Sequence, residues 1–385
     1  MSAHYIFQFG NTPALSLFEL RCIAPELVIE ELDAMFSRTV ADEATFQPQE
    51  LAERLGGTVK IFKQISVFDI GTSVEALTAE VLANLRSDFE MKAFAIAELG
   101  RDHLPAIDPA ELKAQLKREN INTRYIEGSR HGLSSAVLSH KKVKELALIQ
   151  TEKEIVLAQT VAVQDIDAWT LRDRGKPYAD RKKGMLPPKL ARMMLNIAVG
   201  TDQAADGYVL DPFCGTGTVL IEALTLGFPV VGSDLEAEAS AGTRENLDWY
   251  KQYMGISTPS IVLHQDATKI TPPSVAKVQY LVTEPFLGKQ KPKPDQVENI
   301  FRGLHKLYLG AFKHWRTFLQ PGAKIVCIFP AILPEHTPGY KEATLKQLID
   351  KLAEIGYTTC SESLVYHRPQ AVISRQIYKF EYLKK

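Results

Sequence analysis

The sequence YVLDPFCGTGTVLIEALTLGFPVVGSDL, residues 208–235, decides the fold of the second half of the chain. It opens with a short apolar run that ends in Asp211, which is the pattern of a buried parallel strand. The turn that follows contains Gly215 and Gly217, and glycine accepts backbone angles and close approaches that a Cβ would forbid. The stretch therefore begins with a strand and a glycine turn.

A helix and a second strand complete this unit. Residues 218–226 have helical composition, and Gly227 stands where a helix C-cap belongs. Residues 229–233 form the second strand, which leads into Asp234. This order is that of the first unit of a doubly wound sheet, in which the final acid can bind the two hydroxyls of a ribose. A dinucleotide oxidoreductase would carry a third glycine where this chain has Leu220.

The turn D-P-F-C-G-T-G resembles motif I of class I S-adenosylmethionine methyltransferases. The resemblance implies that Asp211, Phe213, Gly215 and Gly217 bind the methionine half of S-adenosylmethionine, with the acid near the amino group of the cofactor. It also implies that Asp234 binds the ribose. The alternative interpretation is a plain βαβ unit whose glycine turn binds no cofactor.

Strands and helices continue to alternate after this unit. A third strand at 260–268 carries Asp266, which the resemblance places near the adenine amine. A fourth strand is followed by a long helix at 297–319 and a fifth strand at 323–332. A helix at 340–355 then precedes two closing strands. This order predicts an α/β fold with the Rossmann-like sheet of class I methyltransferases, whose last strand runs antiparallel.

The length of the chain indicates more than one domain. Dividing 385 residues by about 150 suggests two or three domains. We predict an α+β N-terminal region at 1–165, a basic linker at 166–185 and a methyltransferase domain at 186–385.

Three phrases in the N-terminal region resemble one methyltransferase family. They are FGNTPALSLFEL near the start, LGGTVKI at 55–61 and GLSSAVLSHKK at 132–142, and they occur in family order. The C-terminal phrase YHRPQAVISRQIYKF is also similar to the ending of this family. Its members are the archaeal and eukaryotic enzymes that methylate N2 of guanosine at position 10 of tRNA. The resemblance implies an RNA-binding THUMP domain in the N-terminal region, with tRNA as the partner.

The predicted linker is rich in cations with interleaved aromatic residues. It also matches the family pattern RDxGxP…GMLPPKLA, seen here as RDRGKP and GMLPPKLA. One interpretation is a solvated connection between domains, and the other is a surface that contacts RNA. The candidate RNA-binding residues are Arg172, Arg174, Arg181, Lys182 and Lys183.

The loop after the fourth strand carries the candidate chemistry. In methyltransferases that act on the N2 amine of guanosine or the N6 amine of adenine, this loop reads D/N-P-P-Y/F. An acidic or amide oxygen and a backbone carbonyl accept the protons of the amine and direct its lone pair at the methyl group, while the aromatic ring stacks on the base. This chain has Thr283, Glu284, Pro285 and Phe286 instead, and we take these four as the candidate catalytic residues.

Two registers relate this loop to the family motif. If Pro285 and Phe286 align with the motif's Pro-Tyr, Thr283 takes the place of the acid. If Glu284 replaces the acid, Leu287 takes the place of the aromatic residue. Either register keeps a carboxylate and a ring in the loop, and neither keeps the family geometry.

Composition limits the other possibilities. The net charge is −1, so any RNA-binding surface must be local. Four scattered cysteines without a C-x-x-C pair argue against zinc and against a disulfide framework. The N-terminus lacks a signal-peptide pattern, and no apolar run approaches about 18 residues. We therefore expect a cytoplasmic protein without a metal or a membrane anchor, and the sequence leaves the oligomeric state open.

Three functions follow, in order of preference. The first is an S-adenosylmethionine-dependent RNA methyltransferase that acts on the N2 amine of a guanosine in tRNA. The second is a protein that binds cofactor and RNA but has lost catalysis through the altered loop. The third is a DNA adenine or protein-glutamine methyltransferase, which shares the amine chemistry. The target nucleotide and the number of methyl groups transferred are left open.

Overall fold

A computed structural model of the chain describes residues 1–88, 91–100, 107–128, 132–141, 143–180, 185–202 and 207–384. The chain divides into two units. We call them the N-terminal unit, which consists of Met1–Arg21 and Pro25–Ala168, and the C-terminal unit, which consists of Cys22–Ala24 and Trp169–Lys385.

A mixed sheet forms the centre of the N-terminal unit. In the part of the chain that the structure describes, its strands are β1 (Ser2–Phe9), β2 (Glu30–Glu31), β3 (Phe36–Asp42), β4 (Thr58–Asp69), β5 (Ala93–Gly100), β6 (Arg124–Tyr125), β7 (Val143–Gln150) and β8 (Glu154–Val163). They lie in the order β2-β3-β1-β4-β8-β7-β5-β6. The strand β5 pairs in parallel with β6 and β7, and the other pairs are antiparallel.

Helices connect these strands. They are α1 (Pro13–Ile23), α2 (Pro48–Arg54), α3 (Val74–Arg86), α4 (Pro109–Arg118) and α5 (Ser135–Lys141). The α+β character predicted for this region is confirmed. Neither α2 nor β3 is predicted from the sequence. The strand β3 buries the polar side chains of Ser37 and Thr39, so its sequence lacks a clear apolar face.

Glu19 joins two of the family-like phrases of the N-terminal unit. This fully buried residue lies in FGNTPALSLFEL, and its two carboxylate oxygens accept hydrogen bonds from the backbone N–H groups of Gly56 (2.7 Å) and Gly57 (2.8 Å) in LGGTVKI. A Cβ at Gly57 would lie 2.3 Å from Ser16 Oγ, so the close approach of the two phrases requires glycine.

A second buried carboxylate, Glu145, joins the same region to the third phrase. Its side chain accepts hydrogen bonds from Lys60 Nζ (2.6 Å), from Thr160 Oγ1 (2.5 Å) and from the backbone N–H of Leu133 in GLSSAVLSHKK. Lys60 and Glu145 are 2% and 1% exposed, so water barely screens this ion pair. Burial lowers the pKa of the Lys60 ammonium, and the charge of Glu145 partly offsets that effect.

The C-terminal unit contains the second sheet. Its strands in the described residues are β9 (Tyr208–Asp211), β10 (Val230–Asp234), β11 (Ser260–His264), β12 (Val278–Thr283), β13 (Lys324–Ala331), β14 (Tyr357–Thr359), β15 (Leu364–Tyr366) and β16 (Ser374–Tyr382). The helices of this half are α6 (Ile166–Arg174), α7 (Pro188–Val199), α8 (Thr218–Thr225), α9 (Ala237–Met254), α10 (Val297–Trp315) and α11 (Lys346–Glu354).

The topology of this sheet is the one predicted. The strand order is β11-β10-β9-β12-β13-β16-β14, with β15 paired to β16. Strands β9 to β13 run parallel, whereas β16 runs antiparallel to β13. The carboxyl ends of the parallel strands and the amino end of β16 therefore meet at one edge of the sheet.

The helix α10 covers one face of this sheet. It buries an apolar stripe at helical spacing that includes Phe301, Leu304, Tyr308 and Phe312, and these side chains pack in the core with Phe329 of β13.

The predicted helix at 340–355 is too long. The helix α11 begins only at Lys346, because Ala343 forms an isolated antiparallel bridge with Ile332, with two backbone hydrogen bonds of 2.8 and 3.0 Å.

The structure also changes the interpretation of the basic linker. Residues 166–174 form α6, and the guanidinium of Arg172 is buried against Trp169 and donates to the buried Glu222 at 2.7 Å. Arg192 from α7 pairs with the other carboxylate oxygen of Glu222 at 2.6 Å. Arg172 is one of the residues predicted to contact RNA, and in the structure its charge pairs with Glu222 in the core of the C-terminal unit.

Candidate active site

The glycine turn between β9 and α8 has the backbone geometry that its sequence predicts. Gly215 and Gly217 have φ angles of +52° and +77°, which favour glycine. A Cβ at Gly215 would meet no protein atom within 4 Å, so this side of the turn faces open space. The Gly215 N–H donates to Asp234 Oδ2 at 2.9 Å and ties the turn to the end of β10.

Side chains from α9 hold the turn from behind. Thr243 Oγ1 donates to the carbonyl of Gly215 at 2.7 Å, and Asn246 Nδ2 donates to the carbonyl of Thr216 at 2.9 Å. Asn246 also exchanges hydrogen bonds of 2.8 and 2.9 Å with the backbone of Tyr178. The turn is thus fixed by polar contacts that the sequence does not reveal.

Asp211 lies at the end of β9 and is 2% exposed. Its Oδ1 accepts hydrogen bonds from Thr283 Oγ1 (2.6 Å) and from the backbone N–H of Phe213 (3.1 Å). Burial raises the pKa of this carboxyl to about 7, and the negative charges of Asp234 and Glu284 add to the rise, while the two hydrogen bonds oppose it. A cation placed beside Asp211 would favour its ionised form.

The two other predicted cofactor-binding acids follow the neighbouring strands. Asp234 is half-buried, and its Oδ1 accepts the N–H of Glu236 at 3.0 Å. The next residue, Leu235, is 68% exposed and gives this edge an apolar surface. Asp266 follows β11, and its Oδ1 accepts hydrogen bonds from the N–H and Oγ1 of Thr268, both at 2.8 Å.

The four candidate catalytic residues lie at the end of β12 and in the loop that follows it. Thr283 and Pro285 are buried, whereas the Phe286 side chain is 63% exposed. Tyr308 Oη donates to the carbonyl of Phe286 at 2.6 Å and holds the loop on α10. The exposed ring offers a surface on which a base can stack.

Glu284 is the carboxylate of this loop. Its side chain is 15% exposed, and its Oε1 accepts a hydrogen bond from Nε of Arg375, whose side chain is 12% exposed. Arg375 is the second residue of β16, so the antiparallel strand brings a cation to the edge where the parallel strands end.

The structure separates the two possible registers of the loop. The hydroxyl of Thr283 donates to Asp211, and its side chain is fully buried, so Glu284, whose side chain is 15% exposed, is the carboxylate of this loop. Leu287 packs against the core of the C-terminal unit, so the ring at the surface belongs to Phe286. The acid therefore follows one register and the aromatic residue follows the other.

A groove of about 730 Å³ begins at this loop and follows the first half of α10. Phe286 and Gly288 form one end, and Ile300, Leu304 and Leu307 form its apolar wall. The exposed Phe286 ring thus stands next to a space of the size that a small ligand or a base requires.

Two residues near this site are not among those predicted from the sequence. Arg375 lies in the phrase YHRPQAVISRQIYKF, whose family likeness is the only signal for it. Lys176 counts as a linker cation in the sequence, but it is 6% exposed and donates to Thr218 Oγ1 at 2.9 Å, at the start of α8. Burial lowers the pKa of its ammonium group.

Arg174 is the remaining RNA-binding candidate that the structure describes. Arg174 has a side chain that is 82% exposed, so it can contact a ligand at the surface. Arg181, Lys182 and Lys183 lie outside the described residues. In the part of the chain that the structure covers, no helix is long and apolar enough to cross a membrane, and no group of three or more His, Cys, Asp or Glu side chains is placed to hold a metal ion.

Comparison with known proteins relates the chain to methyltransferases. Residues 178–326 match the UPF0020 family model, described as an RMKL-like methyltransferase domain. The probable tRNA (guanine(10)-N2)-dimethyltransferase of Methanothermococcus thermolithotrophicus is 32% identical over 118 residues, which are 30% of this chain and 70% of that protein. The tRNA (guanine(10)-N2)-dimethyltransferase of Methanothermobacter thermautotrophicus is 43% identical over 105 residues, which are 27% of this chain and 28% of that protein.

The chain spans less than half the length of the first curated relatives that it matches, namely 28%, 41% and 49%. Among solved structures, TrmN from Thermus thermophilus superposes with a TM-score of 0.57 over 100% of both chains, at 18% identity. At that identity the likeness establishes the fold alone.

Proposed function

Because the chain belongs to the family of tRNA (guanine(10)-N2)-dimethyltransferases, we propose that it methylates the exocyclic N2 amine of a guanosine in tRNA. The observation that carries this proposal is the pairing of a carboxylate and a ring on one loop. Glu284 and the exposed Phe286 follow β12, and Thr283 of the same loop is hydrogen-bonded to Asp211 of the glycine turn.

The residues around the glycine turn have groups that suit the binding of S-adenosylmethionine. Gly215 leaves open space where the cofactor has to approach the backbone. Asp211 would bind the ammonium group of the methionine half, and Asp234 would bind the ribose hydroxyls. The ammonium of Lys176, beside Thr218, is suited to the carboxylate of the same half. Phe213 and Asp266 complete the proposed cofactor-binding set.

The cofactor, held by Asp211, Asp234 and the glycine turn, would supply an activated methyl group on a sulfonium; the amine would accept it through its lone pair, leaving the C–S electron pair on sulfur, and would release one proton to solvent. The chain has to localise that lone pair, because it is delocalised into the guanine ring. Glu284 would accept one N–H of the amine, a loop carbonyl would accept the other, and Phe286 would stack on the base. Such prearranged contacts provide orientation and electrostatic stabilisation.

The N-terminal unit is proposed to bind the tRNA. Support comes from the three family-like phrases, which the buried Glu19 and Glu145 hold together. A THUMP domain in this unit stays a prediction, as does RNA contact by Arg174, Arg181, Lys182 and Lys183.

One assay tests the proposed function. The full chain is incubated with methyl-labelled cofactor and, separately, with tRNA, DNA or protein, and Gly215→Val is the control that loses the cofactor site. We expect label in tRNA, as N2-methylguanosine or N2,N2-dimethylguanosine by mass spectrometry. Label in DNA adenine or protein glutamine would replace the proposal.

A second candidate is a protein that binds cofactor and RNA without catalysis. The specific observation in its favour is the Arg375 contact, which occupies one oxygen of the Glu284 carboxylate. Tight binding of S-adenosylhomocysteine and tRNA without methyl transfer would establish it.

A further inference from the structure

Arg375 reaches the candidate catalytic loop because of the direction of its strand. In β16, Ser374 and Arg375 pair with Ala331 and Pro330 at the carboxyl end of β13. The guanidinium lies 5.8 Å from the centre of the Tyr366 ring on β15, so β15 and the cation–π contact restrict where it can point. Its Nε then donates to Glu284 Oε1.

The charges around Glu284 make this contact consequential. Burial raises the pKa of Tyr308 of α10 and of Cys327 of β13, and the nearby negative charge of Glu284 adds to the rise, as it does for Asp211 of β9. Arg375 is the cation that pairs with Glu284 among the described residues. Without it, the Glu284 carboxylate would have no cation partner among the described residues.

The contact also leaves Glu284 with a usable oxygen. Arg375 binds Oε1, and within the described residues no other hydrogen bond to the Glu284 side chain is present. The second oxygen therefore remains available to accept an N–H from a substrate. A glutamate has one more rotatable bond than aspartate, and a contact on one oxygen removes that freedom.

We propose that Arg375 is a positioning residue that holds the Glu284 carboxylate in one orientation, with Oε2 directed to the amine of the substrate. This inference rests on the proposed function. Arg375 would allow the glutamate of the T-E-P-F loop to serve in place of the family's aspartate or asparagine. Arg375 itself does not touch the reacting atoms.

The test is single-turnover methyl transfer to tRNA by the full chain and four variants: Arg375→Lys, Arg375→Ala, Glu284→Ala and the double variant. We expect Arg375→Ala to slow transfer about ten- to a hundredfold, as expected when a hydrogen bond to a charged group is lost. Arg375→Lys should recover part of the rate.

The double variant separates positioning from folding. If Arg375 acts through Glu284, Arg375→Ala should add little to the effect of Glu284→Ala. Affinity for S-adenosylhomocysteine should be unchanged in all four variants. The matched control is Lys324→Ala, which removes the ion pair with Asp202 at the other end of β13 and should leave the rate unchanged.

Two outcomes would overturn the inference: wild-type rates in Arg375→Ala, or fully additive losses in the double variant. If the wild type transfers no methyl group to any substrate, the proposed function fails and the inference fails with it. If the wild type is active and Arg375→Ala is equally active, only the inference fails.

Discussion

Both units bury carboxylates, but they use them differently. In the N-terminal unit, Glu19 and Glu145 are 0% and 1% exposed, and their oxygens bind backbone N–H groups, a lysine and a threonine of the unit itself. In the C-terminal unit, Asp234 and Glu284 follow parallel strands at a sheet edge, with contacts that fix them and leave them reachable. Loss of the first pair should therefore reduce stability, and loss of the second should reduce function.

The largest effect is expected from Glu145→Ala. It leaves the buried Lys60 without its partner, and breaking such a pair costs about 3–5 kcal/mol of unfolding free energy. Glu119→Ala is the matched control, since its ion pair with Arg86 is at the surface, where such pairs contribute about 0–1 kcal/mol. Denaturant unfolding followed by circular dichroism measures both, and equal destabilisation would contradict a special structural role of the buried Glu145.

The next effect concerns Glu284. We expect Glu284→Ala to slow methyl transfer at least about a hundredfold, as expected for the loss of one prearranged electrostatic contact, and Glu284→Gln to retain some turnover because an amide oxygen still accepts a hydrogen bond. Phe286→Ala should weaken capture of the base. Affinity for S-adenosylhomocysteine and unfolding free energy should remain at wild-type values. Equal rates for the wild type and Glu284→Ala would exclude a catalytic part for this carboxylate.

Asp234→Ala should weaken cofactor binding by about 1.5–3 kcal/mol, since it removes charged acceptors for the ribose hydroxyls. It also removes the acceptor of the Gly215 N–H. Gly215→Val should weaken binding as well, because a branched side chain would enter the open space at a positive φ angle. Titration calorimetry with S-adenosylhomocysteine is the measurement, and unchanged affinity in both variants would contradict the assignment of the glycine turn.

A smaller effect should depend on pH. The pKa of Asp211 is about 7 in the folded chain against a usual 3.8, so below pH 7 the cofactor ammonium must displace a proton. Affinity should therefore fall up to about tenfold per pH unit below 7, and Asp211→Asn should flatten that dependence. The free energy of unfolding depends on pH in the opposite direction. The stabilisation that the protonated Asp211 provides is complete below pH 3.8 and is lost as the pH rises through 7. Asp211→Asn should thus gain stability relative to the wild type at pH 8 but not at pH 3.

The smallest effects are expected at the exposed cations. Replacing Arg181, Lys182 and Lys183 by alanine should weaken tRNA binding and reduce its salt dependence by at most about 0.9 in the logarithmic slope per cation removed. Arg302→Ala is the control, because Arg302 is exposed on α10 and paired with Glu298. An unchanged slope in the triple variant would place the RNA contacts elsewhere.

Local patterns predict the architecture of the C-terminal unit well. The strand, glycine turn, helix and acid of residues 208–235 lie close in sequence, so composition and spacing are enough to identify them. The same applies to the stripe of α10. The helix predicted at 340–355 starts too early. Ala343 pairs with Ile332 instead, and no local sequence pattern indicates that contact.

The side-chain contacts of the site cannot be predicted from local sequence patterns. Arg172 and Lys176 look like solvated linker cations in the sequence, and only burial against Glu222 and Thr218 shows their use. Glu284 and Arg375 are 91 residues apart, and Lys60 and Glu145 are 85 apart. A single sequence marks each of these charges without indicating its partner.

The antiparallel direction of β16 has a consequence for the order in which the protein is made. The glycine turn, both cofactor acids and Glu284 leave the ribosome before Arg375, which follows Glu284 by 91 residues. At about 5–20 residues per second, this delay is roughly 5–18 s. During that interval the loop after β12 has its acid but not the cation that pairs with it. All the proposed cofactor-binding residues are thus synthesised before Arg375, so the ion pair of the loop after β12 can form only after they have been made.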